Sequence, residues 1–226
     1  MTIGLIFGYE NKDILYETMN LNISNAINYY FEDDEDSMTL DEWKKVNEDV
    51  CGLLKFKGMK YDYSIPIVYT SNIKYYSNHN AFKKYDYLGS TYIAKQISPI
   101  DDSPNIIIIG NSDSSKNYGM SAVRNFENEN YFGSKYTFVV ETANQRHVFL
   151  VVASALFKKN DDILYKWYDN KIDSMEKLRN LLNLSQDKII QGTDTITYSG
   201  EQLATIITCD EKDNCHVVIG IEKPSF

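Results

Sequence analysis

The run NIIIIGNS at residues 105–112 constrains the fold more than any other feature. Four consecutive isoleucines show no polar alternation, are β-branched, and stop at a glycine and an asparagine. Such a run is too short for an ordinary helix and suits a strand buried on both faces. A sheet containing it must be covered on both sides, by closing into a barrel or by packing a second layer. The neighbouring pattern is also β. Residues 53–70, LLKFKGMKYDYSIPIVYT, alternate and contain Gly58 and Pro66, which predicts strands joined by turns. STYIAKQ (90–96) reads as a strand, and KYTFVVET (135–142) and HVFLVVASALF (147–157) flank the turn ANQR as a long hairpin. DTITYS (194–199), QLATIITC (202–209) and HVVIGIE (216–222) complete the strands.

Helices are expected in three places. Residues 11–31 place Ile14, Leu15, Met19, Ile23, Ala26 and Ile27 at steps of three and four, the spacing of one amphipathic helix or two. Thr39 followed by Glu42 is a capping box opening a short helix. Residues 173–184, DSMEKLRNLLNL, carry a second box at Asp173 and Glu176 and a leucine stripe. Helices thus come first and strands follow with one late helix inserted. Regular strand–helix alternation is missing, so a doubly wound parallel sheet is not expected. The reading is a mostly β chain with helical additions, a mostly antiparallel barrel or sandwich. Residues 1–38 are expected as a helical appendage and residues 39–226 as the β domain.

Composition limits the function. The formal net charge is −9 and only three arginines occur, Arg124, Arg146 and Arg179. Nucleic acid is excluded as a partner, because its binding depends on cations neutralising phosphates. The three cysteines, Cys51, Cys209 and Cys215, are too few for a disulfide framework. Only Cys209, Cys215 and His216 cluster, on one hairpin, so no metal is expected. No cofactor is expected either. The opening TIGLIFGY (2–9) has neither a basic flank nor a cleavage site, so it reads as a strand, a packed tail or the stub of an anchor. No apolar run is long enough to span a membrane, so contact with one is expected only through an anchor outside this chain. Cys51 reads as a small apolar core residue, His79 as structural, and His147, at a strand start in a hairpin, as a surface residue.

Several segments in order resemble class B sortases, cysteine transpeptidases of Gram-positive bacterial surfaces. LDEWKKVNEDVCGLLKFKGMKYDYSIPIVY resembles the family's helix and first strands. NIKYYSNHNAFKKYDYLGSTYI resembles its "YYLNHDF…GSIF" segment, and DSPNIIIIGN the strand that ends in "YGH". DDILYKWYDNKIDSMEKLRNLL falls where class B members insert a long helix, and TIITC stands for "TLxTC". The matches span residues 39–223. The resemblance implies an eight-stranded β-barrel with N-terminal helices, located on the outer face of a Gram-positive cell membrane. It also implies a reaction. A cysteine cleaves the sorting motif of a surface protein, forms a thioacyl enzyme, and passes the acyl group to a cell-wall or pilin amine.

That chemistry needs a thiolate, a proton donor and a cation over the oxyanion. The nucleophile maps to Cys209. The family histidine maps to Asn111, which donates hydrogen bonds but shuttles no proton near neutrality. The family arginine maps to Cys215, counting back from Gly220, or to His216 if the shorter loop slips the alignment by one. Thr208 and Ser112, beside Cys209 and Asn111, complete the set as substrate-contacting candidates.

Register decides which residue faces Cys209, because side chains alternate across a strand. With Cys215 opposite, the sulfurs share a face at disulfide distance and the nucleophile can be masked. With His216 opposite, the imidazole faces the thiol and can serve as its proton donor. The five residues DEKDN between the cysteines favour the first register slightly, and a longer loop gives the second. Three functions remain: a transpeptidase at Cys209, a catalytically inactive sortase fold that binds a sorting-type peptide or surface partner, or a redox-gated thiol. A papain-like protease is excluded by order, since its cysteine lies near the N-terminus with the histidine far downstream.

Overall fold

The computed structural model describes residues 38–56, 63–94, 100–113, 118–128, 137–159, 183, 187–190 and 201–223. The helix expected over 11–31, the strand over 194–199 and, apart from Met38, the appendage over 1–38 lie outside them. So does the late helix over 173–184, apart from Asn183. Helix α1 (Leu40–Val46) begins as the capping box requires: the Glu42 amide donates to Thr39 Oγ1 at 3.3 Å and the Thr39 amide to Glu42 Oε2 at 2.8 Å. It buries Leu40 and Trp43 against Val50, Leu53, Val68, Tyr76 and Ala81.

The strands are β1 (Val50–Phe56), β2 (Tyr63–Val68), β3 (Thr91–Ile93), β4 (Asn105–Asp113), β5 (Tyr118–Gly119), β6 (Thr137–Glu141), β7 (Arg146–Lys158), β8 (Asp187–Ile190), β9 (Leu203–Cys209) and β10 (Asn214–Glu222). Their order β10-β9-β4-β3-β2-β1-β6-β7 closes on itself through the β7–β10 pairing, which makes an eight-stranded barrel. β8 pairs with β7 beyond β6, and β5 with β4. The β2–β3 and β4–β9 pairs are parallel and the other six contacts around the barrel antiparallel, so it is mixed. The barrel closes because β7 is long enough to hold β6 on one edge and β10 along nearly its whole length on the other.

The isoleucine run behaves as its composition requires. Ile106 and Ile108 point into the barrel with Leu54, Phe56, Ile67, Phe138, Phe149, Ile206 and Val218. Ile107 and Ile109 lie on the outer face with Phe157, Leu203, Ile207, Val217 and Ile219, and that face is buried too. A 3-10 helix, Ser121–Glu127, adds Ala122, Val123 and Phe126 to the inner core. Gly220 is needed where β10 crosses the inner aromatics, since a Cβ there would lie 2.6 Å from Phe149 Cβ and 2.7 Å from Phe138 Cε1.

His147 departs from its expected surface position. It is 1% exposed, with Nδ1 at 2.6 Å from Glu222 Oε1 and Nε2 at 2.9 Å from Asp101 Oδ1. The strand start that suggested exposure is where β10 ends alongside β7, bringing Glu222 over the ring. Burial alone would depress the imidazole pKa, but the two carboxylates outweigh it and raise it. His79 is structural, stacked on Tyr75 with Nδ1 at 2.9 Å from the Tyr75 carbonyl. Cys51 lies within β1, half-buried, and its thiol is pushed up to about 12 by burial.

Candidate active site

The turn between β9 and β10 sets the geometry of the site. Asp213 adopts a left-handed backbone, φ 59°, a conformation that Asp tolerates, and its amide donates to the Asp210 carbonyl at 3.1 Å. Asp210 Oδ1 accepts from the amides of Lys212 and Asn214, each at 2.9 Å, and Oδ2 from Arg124 Nη1 at 2.9 Å. Burial pushes the Asp210 carboxyl up, but the hydrogen bonds from Asn214, Lys212 and Arg124 prevail and hold it below its ordinary pKa. One ionised side chain thus templates a tight turn, and the turn fixes the register.

That register pairs Cys209 with Cys215 and Thr208 with His216. The two cysteines are joined in a disulfide, with Cα atoms 4.0 Å apart. Cys215 is fully buried among the outer-face apolar residues, whereas Cys209, ending its strand, is half-buried. On the other side of Cys209, the parallel pairing of β4 and β9 sets Asn111 directly against it. Cys209, Cys215 and Asn111 therefore sit side by side on the outer face. Asn111 Nδ2 donates to the Leu88 carbonyl at 2.9 Å, so the loop before β3 holds the amide in place.

The remaining candidates lie on the inner face. His216 does not reach Cys209: the register in which it would face the thiol is not adopted, because the Asp210 turn is one residue too short for it. Its ring is 2% exposed, with Nε2 hydrogen-bonded to the Ser154 hydroxyl and Nδ1 3.9 Å from Glu127 Oε1. Burial, then the positive charge of Arg124, push its pKa down to about 3, so the imidazole is neutral at physiological pH. Thr208 and Ser112 are each 1% exposed, and both hydroxyls face inward. They are separated from the Cys209 face by the sheet itself. Sequence reasoning missed Ser154, Glu127, Arg124 and Asp210. Ser154 alone left a signal, as the one hydroxyl in the apolar run VFLVVASALF.

The order of the strands, the closure through β7 and β10, and a cysteine ending the strand parallel to β4 match a known architecture. The chain has the class B sortase fold. A Streptococcus pyogenes class B sortase involved in pilus biogenesis superposes with a TM-score of 0.67 at 21% identity, over 82% of this chain and 98% of that one. A cysteine-to-serine mutant of Clostridium perfringens sortase B gives 0.65 at 22% identity, over 81% and 86%. A Staphylococcus aureus sortase B–substrate complex gives 0.64 at 13% identity, over 97% and 99%. No family model and no curated protein sequence matches the chain. Within this sortase fold, the described residues contain no helix long and apolar enough to cross a membrane and no group of residues suited to hold a metal ion.

Proposed function

We propose that this chain is a sortase-type cysteine transpeptidase whose nucleophile is Cys209, masked by Cys215 until the disulfide is reduced. Cys209 would attack the sorting motif of a surface protein at the outer face of a Gram-positive cell membrane. The resulting thioacyl group would pass to a cell-wall or pilin amine. The observation that carries this reading is the position of Cys209: at the end of β9, on the outer face of a barrel with the sortase fold, against Asn111. The S. aureus sortase B solved with its substrate supports a peptide as the ligand of this fold.

The chemistry proposed here is slow. Asn111 can position the scissile carbonyl or leaving amide by hydrogen bonding but supplies no proton. Cys215 offers no charge to the oxyanion, and one missing oxyanion donor costs about 2.7–4 kcal/mol. An unassisted thiol with a pKa near ~8.5 is only a few per cent ionised at neutral pH. A second reading, peptide binding without turnover, rests on the same two replacements at Asn111 and Cys215. Intact-protein mass spectrometry separates them. The reduced chain is incubated with a panel of sorting-motif peptides. An acyl adduct on Cys209 that disappears in Cys209→Ala supports the transpeptidase. Peptide binding by calorimetry with no adduct supports the binder and overturns the transpeptidase.

A further inference from the structure

The disulfide is asymmetric in a way that masking alone does not require. Cys209 ends a strand and is half-buried, beside Asn111 on the neighbouring strand; Cys215 is fully buried in an apolar cluster with Phe157, Ile207 and Val217. Cys51, the third cysteine, packs against the inner core rather than this face, so it does not compete as an internal partner. An incoming thiolate therefore meets one sulfur of the pair first. We infer that the Cys209–Cys215 pair is an exchangeable disulfide that oxidises an external dithiol, a further activity independent of peptide cleavage.

The step balances with the groups present. A substrate thiolate attacks Cys209 Sγ, and a new sulfur–sulfur bond forms as the Cys209–Cys215 bond breaks. The electron pair leaves on Cys215 Sγ, which takes up a proton. The second substrate thiolate then attacks the substrate sulfur of the mixed disulfide and expels Cys209 as a thiolate. The substrate ends as a disulfide and the protein as a dithiol carrying the two electrons and, once Cys209 is protonated, both protons. Cys215 lies in the apolar cluster with Phe157, Ile207 and Val217, and the second substrate thiol is tethered to the first, so the substrate's own second attack competes with the return of Cys215 to the mixed disulfide.

Reach rather than charge narrows the substrate class. Around the turn Asp210 is paired with Arg124 at 2.9 Å and Asp213 with Lys159 at 3.3 Å, so the turn does not select a thiol by its charge. The substrate is a peptide segment bearing two thiols, because the second thiol must lie within reach of the mixed disulfide that the first one forms.

The test uses the oxidised full chain, a synthetic peptide with two cysteines and no sorting motif, and glutathione as the comparison. The account expects one peptide disulfide formed per protein disulfide lost, faster for the two-cysteine peptide than for glutathione, whose second thiol must arrive from solution. In Cys215→Ser, a mixed disulfide formed with an activated disulfide of the peptide stays on Cys209. A peptide that stays reduced in the presence of oxidised protein overturns the inference, as does a mixed disulfide mapped to Cys215 or a pair that remains two free thiols under oxidant. The readout on the unmutated chain stands even if Cys215→Ser does not fold. Because the peptide has no sorting motif, failure of exchange contradicts only this inference, whereas failure of the reduced chain to form an acyl adduct with sorting-motif peptides contradicts only the transpeptidase reading.

Discussion

The β9–β10 hairpin carries reactive residue types on both of its faces, and the two faces have opposite fates. On the outer face, Cys209 and Cys215 lie beside Asn111 at the end of the parallel strand pair. On the inner face, one residue away in sequence, Thr208 and His216 lie buried against Ser154 and the 3-10 helix. A histidine adjacent to a cysteine in sequence is thus separated from a thiol by a sheet. The period of two, enforced by one tight turn, outweighs chemical type. The histidine that looks catalytic is a core residue, and the asparagine distant in sequence is the neighbour of the thiol.

The largest expected effect lies on the outer face. In the reduced chain, Cys209→Ala removes all acyl adduct detectable by intact mass, whereas Cys51→Ala leaves it intact. Next, Asn111→His places a proton donor on the Cys209 face. The rate of adduct formation in the reduced chain is expected to rise about 100-fold, the lower end of what a positioned acid or base supplies. A rate unchanged within error would mean that residue 111 does not face the thiol.

The inner face responds in stability rather than chemistry. His216→Ala removes a buried ring and orphans Ser154, which should cost about 1–3 kcal/mol in denaturant unfolding. The Cys209 adduct rate should stay the same. The two buried histidines sharpen the comparison through pH. His216 has a folded pKa pushed down to about 3, below its unfolded value near 6.5, so the unfolded chain binds the extra proton first. Its contribution is present above pH ~6.5 and is lost as pH falls towards 3. His147, held between Asp101 and Glu222, has a raised folded pKa; its contribution is full below ~6.5 and is lost as pH rises through the raised value. Unfolding midpoints across pH should therefore show a flatter acid limb in His216→Gln. The smallest effect is the opposite one, a flatter neutral-to-alkaline limb in His147→Gln.

Much of this fold is legible in the sequence because its signals are local. The isoleucine run states that β4 is covered on both sides, and Thr39 with Glu42 states where α1 begins. The order of TIITC after IIIIGN places Cys209 at the end of a strand. What the sequence leaves open depends on non-local contacts. The choice between Cys215 and His216 rests on Asp210 accepting two amides and Arg124 bridging from a helix 86 residues away. His147 reads as exposed until Glu222 and Asp101 arrive from distant strands and turns. The inward direction of Thr208 and Ser112 follows from register alone, once the turn is known.

The most direct test of the two-face account is the pH dependence of Cys209 alkylation in the reduced chain, compared between the native sequence and His216→Ala. Residue 209 is identified by peptide mapping so that Cys51 and Cys215 do not contribute. The account predicts superimposable curves, because the imidazole and the thiol lie on opposite sides of the sheet. A shift of the curve by about one pH unit on removing His216, the scale of a direct imidazole–thiol interaction, would contradict it and place His216 beside the thiol.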